Sequence, residues 1–285
     1  MTVNAELVAS LRVPPGPVDL TAIKTHVAPG FDGGKEDGKA ALYALGPELA
    51  DLQERLFAEG RSGGNRSVLL VLQGMDTSGK GGTLRSTVGL MDPQGVRITS
   101  FKAPTPEELE QDFLWRITRA LPEPGYVGVF DRSHYEDVLI ARVRSLAPPE
   151  ELERRYDAIN RFEADLVANG TTVVKCMLHI SPEEQKKRLL ARLDDETKHW
   201  KYNPGDVDER EQWPAYREAY EIAIERTNTE AAPWHVVPGD KKWYRNLAIG
   251  HLLLDTLHRM ALQWPKADFD VVEEKRRLTD EDPLS

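Results

Sequence analysis

The stretch Gly74-Met75-Asp76-Thr77-Ser78-Gly79-Lys80 follows directly on the apolar run Val68-Leu69-Leu70-Val71-Leu72 and opens what reads as a helix from about Lys80. It fits the pattern G-x-x-x-x-G-K. A short run that is apolar at every position reads as a strand covered on both faces, and a helix returning from its end commits the chain to a parallel α/β sheet. Glycines let the intervening loop turn tightly, so that successive backbone N–H groups point into one concavity, and the helix start and the Lys80 ammonium add positive potential. Such a concavity holds phosphate oxygens. Gly74, Gly79, Lys80, Gly81, Gly82 and Thr83 are therefore the expected phosphate contacts.

The loop departs from the usual form at Gly81, which stands where a Ser or Thr hydroxyl would hold Mg²⁺. Asp76 is the substitute within the loop, because a hard cation between phosphates takes carboxylate oxygen; the plainer alternative is an aspartate that caps the turn. A second carboxylate, Asp131, ends the apolar run Tyr126-Val127-Gly128-Val129-Phe130, the place from which a strand-end acid reaches the metal. Arg132 follows it, either to brace a transferring phosphoryl group or to pair with Asp131 or Glu136.

Short apolar runs alternate with helical stretches over most of the 285 residues, as βαβ units do. Strands are expected at Ser67 to Gln73, Val96 to Phe101, Tyr126 to Asp131, Thr171 to Ile180 and Trp234 to Val237. Helices are expected near 80–91, 106–121, 133–145, 148–169, 181–195, 212–229 and 240–264, with an earlier one carrying the stripe Leu42, Leu45, Leu49, Leu52 and Leu56. Residues 1–35, rich in Pro and Gly, read as an arm, 36–265 as one phosphate-loop domain, and 266–285 as a solvated tail. Forty-seven acidic against 37 basic side chains exclude a basic nucleic-acid coat, so any cationic groove is a local feature. No apolar run approaches the roughly 18 residues of a membrane span, which with the lack of a signal segment points to the cytoplasm. The one cysteine, Cys176, sits in an apolar run and reads as buried.

Together these residues resemble the polyphosphate kinase 2 family. The likeness runs from about Leu49 to Lys242 and rests on Leu72-Gln73-Gly74-Met75-Asp76 with Gly79-Lys80, on Phe130-Asp131-Arg132-Ser133-His134-Tyr135-Glu136-Asp137, on Lys198-His199-Trp200-Lys201 and Trp213, and on Thr227 with Ala232-Pro233-Trp234. The resemblance implies an α/β, three-layer αβα phosphate-loop kinase fold with a five-stranded parallel sheet and a helical lid, here around 183–213. It implies Mg²⁺-dependent (or Mn²⁺-dependent) reversible phosphoryl transfer between inorganic polyphosphate and nucleoside mono- or diphosphates, with Asp76, Lys80, Asp131 and Arg132 catalytic and Asp76 and Asp131 on the metal. A homodimer or homotetramer is the implied assembly. The Ser133 to Leu139 stretch is similar to the branch that accepts both AMP and ADP.

In the lid region Arg188 and Arg192 share one helix face and are expected phosphate contacts, the competing reading being a solvated helix paired with Glu184, Asp194 and Asp195. Lys102, after the second strand, faces either nucleotide phosphate or solvent. Trp200, Tyr202, Trp213 and Tyr216 read as packing before base stacking. His251 and His258 share a helix but read as packing, not zinc ligands. Alternative readings of the same loop are an ATP-dependent nucleotide or small-molecule kinase and a non-catalytic polyphosphate or nucleotide sensor.

Overall fold

The computed structural model describes residues 3–281. Strands β1 Ser67–Gln73, β2 Val96–Ser100, β3 Val127–Asp131, β4 Thr171–His179 and β5 Trp234–Pro238 form one parallel sheet in the order β2-β3-β1-β4-β5. Every residue of β1 is buried, which is why the most uniformly apolar strand takes the centre. Successive side chains of a strand point to opposite faces, and the core divides accordingly. Val68, Leu70 and Leu72 pack with the helices Ala5–Leu11, Lys35–Arg61 and Lys242–Arg259; Leu69 and Val71 pack with Glu136–Val143, Pro149–Ala168 and Trp213–Thr227. The result is the expected three-layer αβα architecture.

The stripe Leu42, Leu45, Leu49, Leu52 and Leu56 is buried along the 27-residue helix Lys35–Arg61. Burying each such side chain stabilises the fold by about 2 kcal/mol. All five strands lie within a residue or two of their expected places. The helix expected over 106–121 is instead two short pieces, Pro106–Leu109 and Trp115–Arg119. Asp112 causes the break: its carboxylate accepts from the Leu114 N–H (3.0 Å), a local bond that competes with the helical one. Residues 80–91 likewise split into the helix Lys80–Ser86 and a single 3₁₀ turn, Val88–Leu90.

The N-terminal segment is bound closely to the sheet. Leu7, Leu11, Val13 and Leu20 are buried, Val13 donates its N–H to the Trp234 carbonyl (2.9 Å), and Arg12 bridges His235 antiparallel to β5. Near the other end, the helix Val271–Asp280 buries no residue. Cys176 is fully buried, and burial pushes its thiol up to about 12, so it carries no thiolate near neutral pH. No helix among the described residues is long and apolar enough to cross a membrane.

Candidate active site

β1 delivers the chain into the loop at its C-terminal end, where ligands of open parallel sheets bind. Gly79 adopts φ +105°, which turns the chain into the helix Lys80–Ser86. Thr77 also takes a left-handed φ, +61°, a strained conformation for a β-branched residue. Gly82 and Thr83 donate their N–H groups to the Gly79 carbonyl, while among the described residues the amides of Gly79, Lys80 and Gly81 have no backbone acceptor. A Cβ on Gly81 would meet open space, so the loop is accessible there. Gly74 is turned otherwise: its N–H donates to the Tyr220 hydroxyl (3.0 Å) and its carbonyl accepts from Lys80 Nζ (3.0 Å). The Thr83 hydroxyl is buried without a partner among the described residues.

Parallel pairing sets the second carboxylate beside this loop. Leu72 is in register with Asp131, and the Arg132 N–H donates to the Leu72 carbonyl (3.1 Å) with Arg132 itself at φ +64°. The charges then converge. Burial, followed by the neighbouring Arg132, holds the Lys80 ammonium below the ordinary lysine range against the pull of Asp131, Glu136 and Asp76. Burial likewise opposes the Arg132 charge, but Glu136, Asp76 and Asp131 outweigh it. Asp76, Lys80, Asp131 and Arg132 thus form one electrostatic unit, and Glu136 joins it as a third carboxylate.

The segment that follows Arg132 enters a buried polar network through Tyr135. Lys175 Nζ donates to Glu163 Oε2 (2.6 Å), the Tyr135 hydroxyl (2.9 Å) and the Thr227 carbonyl (2.7 Å). Tyr135 in turn donates to Glu163 Oε1 (2.8 Å), and Trp234 Nε1 to the Thr227 hydroxyl (2.9 Å). The residues Tyr135, Thr227 and Trp234 of the sequence motifs therefore meet in the interior, where they fix the segment that carries Asp131 and Arg132.

Two hollows flank the loop. On one side a groove of about 820 Å³ is lined by Thr77, Gly79 and Gly82 and by the cations Lys35, Lys39, Lys187, Lys198, Lys201, Lys241, Lys242 and Arg245, against only Glu184 and Asp240. On the other a pocket of about 220 Å³ is lined by Gly74, Met75, Asp76, Arg132 and Glu136 together with Trp213, Tyr216 and Tyr220. Arg192 spans the two: it lines the groove, and its Nη1 lies 3.4 Å from Asp76 Oδ2 and donates to the Lys201 carbonyl (3.0 Å). Arg188 is placed differently. It too lines the groove, but its guanidinium is largely buried and donates to the carbonyls of Thr77 and Ser78 (2.9 Å each) and to Glu184 (2.8 Å), so these donors brace the loop. Lys102 is not brought to either hollow; it lines a separate one of about 350 Å³ with Trp115, Arg116 and Arg119.

Sequence reasoning missed Arg245, Asn246, Lys35 and Lys39 as groove residues. Lys241, Lys242 and Arg245 carried a signal, a cationic face at helical spacing just after β5; what placed it beside the loop was the sheet order. Trp213 and Tyr216, read as packing, line the smaller pocket. Trp200 is 79% exposed in the 3₁₀ segment Glu196–Lys201, with Lys201 Nζ over its ring.

The model of the family described as Polyphosphate kinase 2 matches residues 33–265. The chain belongs to this family. Among curated relatives, the AMP/ADP-polyphosphate phosphotransferase of Meiothermus ruber is 45% identical over 90% of this chain and 94% of its own length. The ADP-polyphosphate phosphotransferase of Rhodopseudomonas palustris is 40% identical over 87% and 89%. The crystal structure of polyphosphate kinase 2 from Arthrobacter aurescens TC1 is 55% identical and superposes with a TM-score of 0.95 over 98% of this chain and 99% of that one. The polyphosphate kinase 2 fold, phosphate loop included, thus extends over essentially the whole chain.

Proposed function

We infer that this chain transfers a phosphoryl group reversibly between inorganic polyphosphate and a nucleoside mono- or diphosphate, AMP and ADP included. The observation that carries the reading is the pair of unlike hollows meeting at one phosphate loop. A long, strongly cationic groove suits a polyanion with no base to recognise, and a small pocket with an arginine, carboxylates and aromatic rings suits a nucleotide. The name of the Meiothermus ruber relative supports acceptance of both AMP and ADP.

Reaction requires alignment and charge neutralisation more than covalent chemistry. The free amides of Gly79, Lys80 and Gly81 and the Lys80 ammonium, released from the Gly74 carbonyl, hold the terminal phosphates of the chain. Arg132 receives the acceptor phosphate from the pocket side. An acceptor oxygen attacks the terminal phosphorus, the bond to the bridging oxygen breaks, and the shortened polyphosphate leaves as an anion. Both oxygens are ionised near neutral pH, so no general base is needed. Arg192, on the lid around 183–213, lets go of Asp76 as substrates enter and closes on the phosphates between the hollows.

Asp76, Asp131 and Glu136 are hard oxygen donors whose charge acts on Lys80 and Arg132. That suits Mg²⁺, or Mn²⁺ in its place, which keeps waters and takes one or two carboxylates plus substrate phosphate. Asp76 and Asp131 would hold such an ion, which would supply neutralisation of charge on the reacting phosphates. The enzyme acts in the cytoplasm as a homodimer or homotetramer, for which exposed Trp264, Phe269 and Val272 offer apolar surface.

The test is a product assay with AMP or ADP, Mg²⁺ and long-chain polyphosphate, run beside the same mixture with ATP as the only donor. ADP and ATP formed from polyphosphate support the reading; transfer from ATP alone contradicts it.

A further inference from the structure

Two guanidinium groups stand behind the phosphate loop. Arg188 Nη1 and Arg245 Nη1 both donate to the Ser78 carbonyl (2.9 and 3.0 Å). They differ in how their charge is met. Arg188 Nε donates to the carboxylate of Glu184 (2.8 Å), whereas Arg245 places Nε and Nη2 on the amide oxygen of Asn246 (3.2 and 2.8 Å) and, among the described residues, has no carboxylate partner. Arg245 is only 2% exposed. A buried cation is ordinarily paired with an anion, and this chain has 47 acidic side chains from which to draw one. Burial, with Arg188 adding to it, lowers the Arg245 guanidinium to about 9, in keeping with an unneutralised charge.

The loop is shaped around this group. A Cβ on Gly79 would lie 1.8 Å from Arg245 Nη1, and one on Gly82 would lie 2.9 Å from Nη2. Because the two polar groups of a trans peptide point in opposite directions, holding the Ser78 carbonyl at the arginine turns the Gly79 N–H the other way, into the loop. The same bond polarises that N–H and makes it a stronger donor. Arg245 and Asn246 also both line the groove.

We propose that Arg245 is a positioning residue of the phosphate loop, left without a carboxylate partner so that a bound phosphate chain supplies the missing anion. The proposal rests on the reading of the groove as the polyphosphate side. Empty, the protein carries an unrelieved buried charge; filled, it does not.

The test gives this charge a carboxylate. Asn246→Asp keeps the shape of the side chain and neutralises Arg245, so the melting temperature of the empty protein holds or rises. Its affinity for inorganic tripolyphosphate, measured by calorimetry, falls about tenfold, the weight of one charge-assisted bond. Arg245→Met weakens tripolyphosphate binding to a similar extent and raises the KM for polyphosphate with that for AMP unchanged, and Arg245→Lys restores part of the loss. Unchanged tripolyphosphate affinity in Asn246→Asp, or in a folded Arg245→Met protein whose melting temperature alone has dropped, overturns the proposal and reduces Arg245 to a structural brace. Should Arg245→Met fail to fold, Asn246→Asp decides alone. Wild-type protein that binds no tripolyphosphate refutes the groove reading itself, a different result from a variant that binds like wild type.

Discussion

Lys175→Met removes the centre of the buried polar network that joins Glu163, Tyr135 and Thr227. The lysine is fully buried and its ammonium is spent on three acceptors: Glu163, the Tyr135 hydroxyl and the Thr227 carbonyl. Burial opposes ionisation of Glu163, but Lys175 and then His134 more than offset it, so its carboxyl sits below the ordinary range. Without Lys175, Glu163 keeps only the Tyr135 hydroxyl (2.8 Å) and the His134 ring (3.2 Å). An uncompensated buried carboxylate of this kind costs about 3–5 kcal/mol. At roughly 2 °C per kcal/mol for a chain of this size, the melting temperature falls by about 6–10 °C at pH 7. The pH dependence carries the mechanism. In wild type the pair stabilises the fold above the unfolded carboxyl pKa and loses that contribution as pH falls; in the variant the stranded carboxylate is relieved by protonation, so the gap between the two proteins narrows from pH 7 to pH 5. Calorimetric melts at both pH values measure it. A melting temperature within a degree or two of wild type, or a gap that widens on acidification, refutes the reasoning.

Asp76→Asn and Asp131→Asn should each lower kcat for nucleotide formation from polyphosphate by about 10²–10³-fold with melting temperatures near wild type, since removal of one preorganised electrostatic group has that effect; activity within tenfold of wild type takes that residue out of the chemistry. Burial lowers His235 to about 4 and also depresses His179 and His251, so the folded protein holds them neutral where the unfolded chain protonates them. Stability is therefore full above about pH 6.5 and declines toward pH 4, with His235 contributing up to ~3 kcal/mol of that loss. His235→Gln should flatten the decline in urea titrations; an unaltered slope places the proton uptake elsewhere.

Period and position made the sheet legible. β1 declared itself by the unbroken apolar run Val68–Leu72, and the leucine stripe of Lys35–Arg61 by its helical spacing. Asp131 was readable as a strand-end acid, and the register Leu72–Asp131 sets it beside the loop. Less could be read where distant segments meet. Nothing local to Arg188 distinguishes a solvent-facing phosphate clamp from a brace, because its acceptors, the carbonyls of Thr77, Ser78 and Gly239, belong to segments 51 to 111 residues away. Lys102 illustrates the same limit: it follows the strand next to β3, yet the β2 edge carries it into its own hollow. The broken helix at 106–121 turned on one Asp112 side-chain bond that helical periodicity does not register.

The division of the two hollows between the two substrates is tested most directly by a crystal structure of the protein with AMP and inorganic tripolyphosphate bound together. The phosphate chain should lie along Lys35, Lys242 and Arg245, and the nucleotide should occupy the pocket of Arg132, Trp213 and Tyr216, with their phosphates meeting at Lys80. A nucleotide found in the cationic groove, or both ligands on one side of the loop, contradicts the account.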